Sequence, residues 1–173
     1  HNYEPGGSNY EVILGAAISE SSKYIATLSG QDGQRFVISK KTSESYGAHT
    51  SIVFYKSMAE ELNRQVLIKF SKDEKKVFYN NASGIGIVNC RTFKDTEIPI
   101  KGRILSILES DDENEIFVLS KEARTYTVTT IESFDASQGS FSFEADSACI
   151  AVSGSSLFVG RDGKISRLDI IHR

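Results

Sequence analysis

LGAAISESSKYIATLSGQDGQRFVIS, from Leu14 to Ser39, decides how this chain is read. It holds an apolar strand, a Ser-rich turn, a second apolar strand, a Gly-rich turn and a third strand. In the second strand Tyr24, Ala26 and Leu28 share one face, and Ile25 and Thr27 take the other, the period-two alternation of an extended chain. Three later stretches repeat the order: VLIKFSKDEKKVFYNNASGIGIVNC from Val66, ILSILESDDENEIFVLSKEARTYTVTT from Ile104, and ACIAVSGSSLFVGRDGKISRLDI from Ala148. The second strands begin near Tyr24, Val77, Ile116 and Leu157, so the later units recur about every 40 residues.

The turns carry their own signals. Ser19–Lys23, Ser71–Lys75, Glu109–Asn114 and Ser153–Ser155 are rich in Ser and Asp, whose side chains bond nearby backbone amides and close tight turns. The second turns contain Asp32-Gly33, Asn80-Asn81 with Gly84, and Asp162-Gly163, where Gly accepts positive φ; the third unit uses Lys121–Ala123. Such a period with three or four strands per unit predicts an all-β, β-propeller-like chain of about four antiparallel blades. The expected units are about 10–55, 65–100, 103–145 and 147–171 of a single domain, first strands innermost. Outer fourth strands are expected at Ser51–Tyr55, Thr96–Ile100 and Ser140–Glu144, with Tyr10–Ile13 completing the last unit. Ser57 with Glu60 has capping-box spacing and predicts a short helical insertion over about 56–64. Four units leave three forms open: a small closed ring, a half ring that dimerises, or a fragment of a larger propeller. A sandwich of hairpins is the alternative all-β solution.

The units resemble WD40-like propeller repeats, in which a Ser-x-Asp turn follows the inner strand. Ser19-Glu20, Ser71-Lys72-Asp73 and Ser110-Asp111 echo that turn, and ISRLD at Ile165–Asp169 echoes the close of a third strand. The resemblance runs from Leu14 to Ile170 and is that of a divergent member, since the chain has no Trp and so no Trp-Asp dipeptide. It implies that the loops joining outer to inner strands, and second to third strands, share one face.

Composition narrows the function. A net charge of −3 gives no electrostatic footprint for nucleic acid, and the longest apolar runs are strand-length, so no membrane insertion is expected in this segment. A soluble domain is expected, possible as the extracytoplasmic part of a larger or signal-bearing protein. His1, His49 and His172 have no partner at ligand spacing, so neither a metal nor a cofactor is expected. The acidic run Glu109–Glu115 lacks calcium-loop spacing and reads as a solvated turn. Gly84-Ile-Gly86 opens a strand and lacks a third Gly, unlike a nucleotide loop. Cys90 and Cys149 lie in strands and are expected as buried free thiols, with a disulfide or intermolecular pairing as the alternative.

The first strands carry a single charge, Lys69, which argues against catalysis in a central channel. The expected role is therefore a non-enzymatic protein-interaction or scaffolding module. A small-ligand or enzymatic site in the channel, or a structural part of an envelope or multidomain protein, are the alternatives. Loops on a rigid scaffold carry function, and Arg is a favoured anchor. On that ground Arg64, Arg103, Arg124, Arg161, Gln31 and Asn80 are the candidate partner-binding residues, for a protein partner and with a homodimer as a further possibility.

Overall fold

The Ser-led turns fold as one repeated hydrogen-bonding unit. In a computed structural model that describes residues 12–30, 34–42, 50–58, 65–111, 115–132, 138–154 and 156–169, Ser19, Ser71 and Ser110 are all buried. Each Ser amide donates to the carbonyl five residues on: Tyr24, Lys76 and Glu115. Each hydroxyl accepts from that same residue's amide, at 3.1, 2.9 and 3.0 Å. The side chain thus satisfies a backbone donor that the turn itself leaves open.

These turns join strands into four antiparallel meanders. The first blade is β1 (Ile13–Ile18), β2 (Tyr24–Gly30), β3 (Gln34–Lys41) and β4 (Thr50–Met58). The second is β5 (Ile68–Phe70), β6 (Lys76–Asn80), β7 (Gly84–Asn89) and β8 (Asp95–Pro99). The third is β9 (Arg103–Glu109), β10 (Glu115–Glu122), β11 (Thr125–Glu132) and β12 (Gln138–Glu144). The fourth has three strands, β13 (Ala148–Ser153), β14 (Ser156–Arg161) and β15 (Lys164–Asp169). Strand order within each sheet is sequential. The first strands of neighbouring blades approach one another, β1 with β5 and β9 with β13, so they lie innermost.

Two local expectations change. Residues 56–58, expected to begin a helix, continue β4, with Arg35 opposite Ser57 and Gln34 opposite Met58. Cross-strand pairing and the burial of Met58 outweigh the local helix signal; residues 59–64 lie outside the described residues. Ile13, expected in an outer strand of the last blade, belongs to the inner strand of the first and pairs with Ser29. Tyr10 and Glu11 are outside the described residues.

The core is a series of seams between blades. Leu28, Phe36 and Ile38 of the first blade meet Phe70, Val77, Tyr79 and Val88 of the second. Phe78, Ile85, Ile87 and Ile98 of the second meet Ile104, Ile107, Ile116, Val118 and Ile131 of the third. Phe117, Leu119, Tyr126 and Val128 of the third meet Leu157 and Val159 of the fourth. β6, β7 and β10 are consequently buried on both faces, which is why they read as continuous apolar runs.

The turns opposite the loop face also link the blades. Ser21 donates through its amide and hydroxyl to Glu74, joining the first blade to the second. The Lys72 amide donates to Glu109 at 2.8 Å and its ammonium to Asp111, joining the second to the third. Asp111 accepts in turn from the Gly154 amide of the fourth. The acidic run expected to be only a solvated turn thus supplies Glu109, which is buried, and Asp111 as inter-blade acceptors.

Asp73 gives this side a pH dependence. Partial burial pushes its carboxyl up, but hydrogen bonds from Lys75 and Ser71 outweigh that and hold it at about 2. A carboxyl more acidic in the folded state than its unfolded value of about 3.9 contributes stability above that pH, lost as the pH falls through the folded value. Thermal unfolding should therefore shift to lower temperature between about pH 4 and pH 2, and Asp73→Asn should flatten that decline. An unchanged decline in the variant would remove Asp73 as its source.

Candidate functional site

The loop face gathers the β2–β3, β6–β7, β10–β11 and β14–β15 turns with the links between blades. A cavity of about 710 Å³ lies where the second blade hands over to the third. Ala82 and Ser83 from the β6–β7 turn, Pro99–Arg103 from the β8–β9 link and Lys121–Ala123 from the β10–β11 turn line it. That volume is in the range of ligand-holding clefts. Gly102 permits the link to pass this close: its φ is +83°, and a Cβ there would lie 2.7 Å from the Lys121 carbonyl oxygen.

Charge at the cavity is mainly positive. Lys101, Arg103 and Lys121 line it against a single carboxylate, Glu122. Arg103 and Lys121 sit directly opposite each other in the β9–β10 register, and like charges so placed are destabilising. The Lys121 ammonium donates to the Tyr126 hydroxyl at 2.8 Å and stands 4.6 Å from the centre of that ring. Lys101 and Arg103 are exposed.

A second cavity of about 410 Å³ shares Pro99, Ile100, Lys101 and Glu122 with the first. Its floor is the part of β10–β12 that looks toward the second blade, a sheet of hydroxyls: Ser120, Thr127 and Ser142 in one cross-strand row, Thr129 and Ser140 in the next. Thr127 and Ser142 hydrogen-bond at 2.8 Å. The alternating Thr125, Thr127 and Thr129 were the sequence signal for this face, which reasoning from turns alone passes over.

A third, smaller cavity of about 260 Å³ lies at the first–second seam beside Lys56. The Lys56 ammonium is held by Asp95, by Glu97 at 2.5 Å and by the Tyr79 hydroxyl at 3.0 Å. Burial alone would lower the Lys56 pKa, but these acceptors raise it well above the usual lysine range. Burial drives the Tyr79 hydroxyl above its ordinary value. The group is a locked structural network, with Lys56 cationic throughout the physiological range.

The candidate residues fall into different places. Arg103 lies at the cavity. Arg124, in the β10–β11 turn, pairs with Asp146 at 2.6 Å. Arg161 ends β14 and stacks its guanidinium 5.8 Å from the centre of Phe143. Asn80 is not a surface contact: it is 4% exposed, and its amide is spent on the Gln65 carbonyl and the Leu67 amide, fixing the approach to β5. Arg64, Gln31, His1, His49 and His172 lie outside the described residues. The cysteines differ from expectation in one respect. Both are free thiols and Cys90 is buried, but Cys149 is exposed. Burial, with Asp73 and Glu74 nearby, pushes the Cys90 thiol up to about 11. Among the described residues no helix is long and apolar enough to cross a membrane.

Meander sheets stacked through their faces, with first strands inward and turns exposed on two opposite sides, define a propeller built from repeated blades. A family model described as beta-propeller protein matches residues 1–173. The chain belongs to the beta-propeller proteins. It is 23% identical over 168 residues to an uncharacterized protein of Treponema pallidum (strain Nichols), a match that covers 97% of this chain and 44% of the relative. The chain thus spans less than half the length of that curated relative. Among solved structures, the propeller domain of the Trilobed protease from Pyrococcus furiosus, described as having an open velcro topology, aligns with a TM-score of 0.61 at 11% identity, covering 91% of this chain and 57% of that one. The WD40 domain of SCAP from fission yeast aligns with a TM-score of 0.58 at 16% identity, covering 92% and 40%. At these identities the likeness is one of fold.

Proposed function

We propose that this chain is a non-enzymatic interaction module that holds a protein partner at the loop face, over the junction of the second and third blades. The observation that carries this reading is the cation cluster Lys101, Arg103 and Lys121 around one open cavity, two of its members in direct opposition across β9 and β10. Such a juxtaposition is costly in the free sheet and is relieved when a partner places a carboxylate between the charges. The adjoining hydroxyl face offers donors and acceptors to the backbone of the same partner.

The test is the double variant Lys101→Glu with Arg103→Glu, used as bait in native lysate beside the control Lys23→Glu with Lys94→Glu on the opposite side. Capture by the unsubstituted chain should weaken as salt rises, because rim charges act through long-range attraction. The cavity variant should lose its captured protein by tenfold or more and the control should retain it. Neither pair should shift unfolding by more than about 0.5 kcal/mol per substitution, the usual bound at exposed sites. Equal capture by the two variants would place the contact elsewhere.

A further inference from the structure

The seam between the second and third blades is apolar over only part of its extent. On the face of the third blade that looks toward the second, Ile116, Val118 and Ile131 belong to the core. The same strands then carry Ser120, Thr127 and Ser142 in one cross-strand row, and Thr129 with Ser140 in the next. Counted from the Ser-led turns, Val118, Thr129 and Ser140 stand where the second blade has Tyr79, Gly86 and Glu97. In that earlier seam the Tyr79 ring covers Gly86, and Lys56 pairs with Glu97. Val118 is too short to do the same, and a cleft of about 410 Å³ lies open over the hydroxyl rows.

The fold leaves two of these hydroxyls unused. Ser120 is 1% and Thr129 5% exposed, and both line the cleft. Neither side chain has a hydrogen-bond partner among the described residues. Buried hydroxyls are ordinarily paired, so two that open onto a cleft call for a ligand that pairs them. From these deep members the floor extends to Ser140 and Ser142, which are exposed. Pro99 and Ile100 supply an apolar wall from the second blade, and Lys101 and Glu122 bring one charge of each sign.

We infer that this cleft binds a saccharide, one sugar ring set with its hydroxyls on the Ser/Thr rows and its C–H face on Pro99 and Ile100. A sugar hydroxyl both donates and accepts, as Ser and Thr do; Lys101 donates to it and Glu122 accepts from it. Other ligands leave part of the lining unmet. An apolar molecule would strand the hydroxyls. An oxyanion only accepts, and Glu122 repels it. The backbone of a protein partner reaches Ser140 and Ser142 at the open end but not Ser120 and Thr129 beneath. The volume is that of a small-molecule site. The sugar site is independent of the protein contact at the cation cluster: the two cavities share Lys101, but Arg103 and Lys121 line only the first.

Glucose, galactose, mannose and N-acetylglucosamine, each titrated into the chain and followed by saturation-transfer NMR and calorimetry, should include at least one that binds saturably. Thr129→Val keeps the shape of the side chain and removes the hydroxyl. It should weaken that sugar about fivefold to tenfold, the worth of one hydrogen bond. The thermal midpoint of the sugar-free variant should be unchanged or higher, because the fold does not use the group. Ser140→Ala, at the exposed end, should weaken the same sugar by a smaller factor with no change of midpoint. Binding of none of the four sugars would overturn the proposal, as would binding of inorganic phosphate in their place. So would a sugar that binds Thr129→Val as tightly as the unsubstituted chain, since it then lies elsewhere on the molecule. A Thr129→Val chain that melts several degrees early would assign the hydroxyl to the fold and overturn it equally.

Discussion

Phe36→Ala should lower the stability of the chain by about 3–5 kcal/mol, the range for emptying a buried aromatic site. The ring is fully buried, stacks on Tyr79 with 4.2 Å between centroids at 19°, and meets Phe54 edge-on at 6.1 Å. It is the largest fully buried first-blade side chain in the seam with the second blade, so its loss leaves a void that neither sheet can close without sliding. Urea unfolding read by circular dichroism measures the effect. A loss under about 1 kcal/mol would mean that this seam is held by other groups.

Gly86→Ala should be as damaging, from the opposite cause. A Cβ at that position would lie 2.0 Å from Tyr79 Cζ and 2.2 Å from Cε1. The ring cannot swing aside: Phe36 is stacked on it, and its hydroxyl is engaged by Lys56 and Asp95. Overpacking a fixed group costs about 3 kcal/mol or more at the upper end of such substitutions. The clash makes a sharper forecast in combination. In a Tyr79→Ala background the added methyl fills space that the ring has left, so Gly86→Ala should there be neutral or stabilising. Additive losses in the double variant would show that the ring is not what excludes a side chain at position 86.

Both residues show which parts of the fold can be read from sequence. The Ser-led turns are local: the hydroxyl, the amide that it accepts from and the carbonyl that it faces lie within six residues, so Ser19, Ser71 and Ser110 announce themselves. Period and alternation likewise place the strands to within a residue or two. The seams are different, because the choice of Phe36 against Tyr79 is made across two sheets and 43 positions of chain. Lys56 is the clearest case. Its neighbours Ser57 and Glu60 speak for a helix cap, but the carboxylates that hold it as strand, Asp95 and Glu97, arrive from the next blade. Asn80 misleads for a related reason. Asn in a turn usually signals exposure, and here its amide is turned inward to steady Gln65 and Leu67.

The outward placing of Lys101, Arg103 and Lys121 was legible in outline, since they fall in or beside links that a meander must expose. Their meeting at one cavity was not, because it depends on the sharp course of the chain at Gly102. The acidic run was legible only as charge. That Glu109 and Asp111 reach across to Lys72 and Gly154 follows from the stacking of blades, which no local pattern encodes.

Those reaches have a consequence for how the molecule holds together. Ser21 with Glu74, Lys72 with Glu109 and Asp111, and Asp111 with Gly154 each couple one blade to the next and to no other. Energetically the chain is a row of four beads on short springs, each bead steadied by its immediate neighbours. Stability in such a row is a running sum of unit and nearest-neighbour contributions. The second and third blades are each gripped from both sides within this row. They are also the two blades that frame the Lys101–Arg103 cavity, so the springs on either side of them hold the walls of that cavity in place.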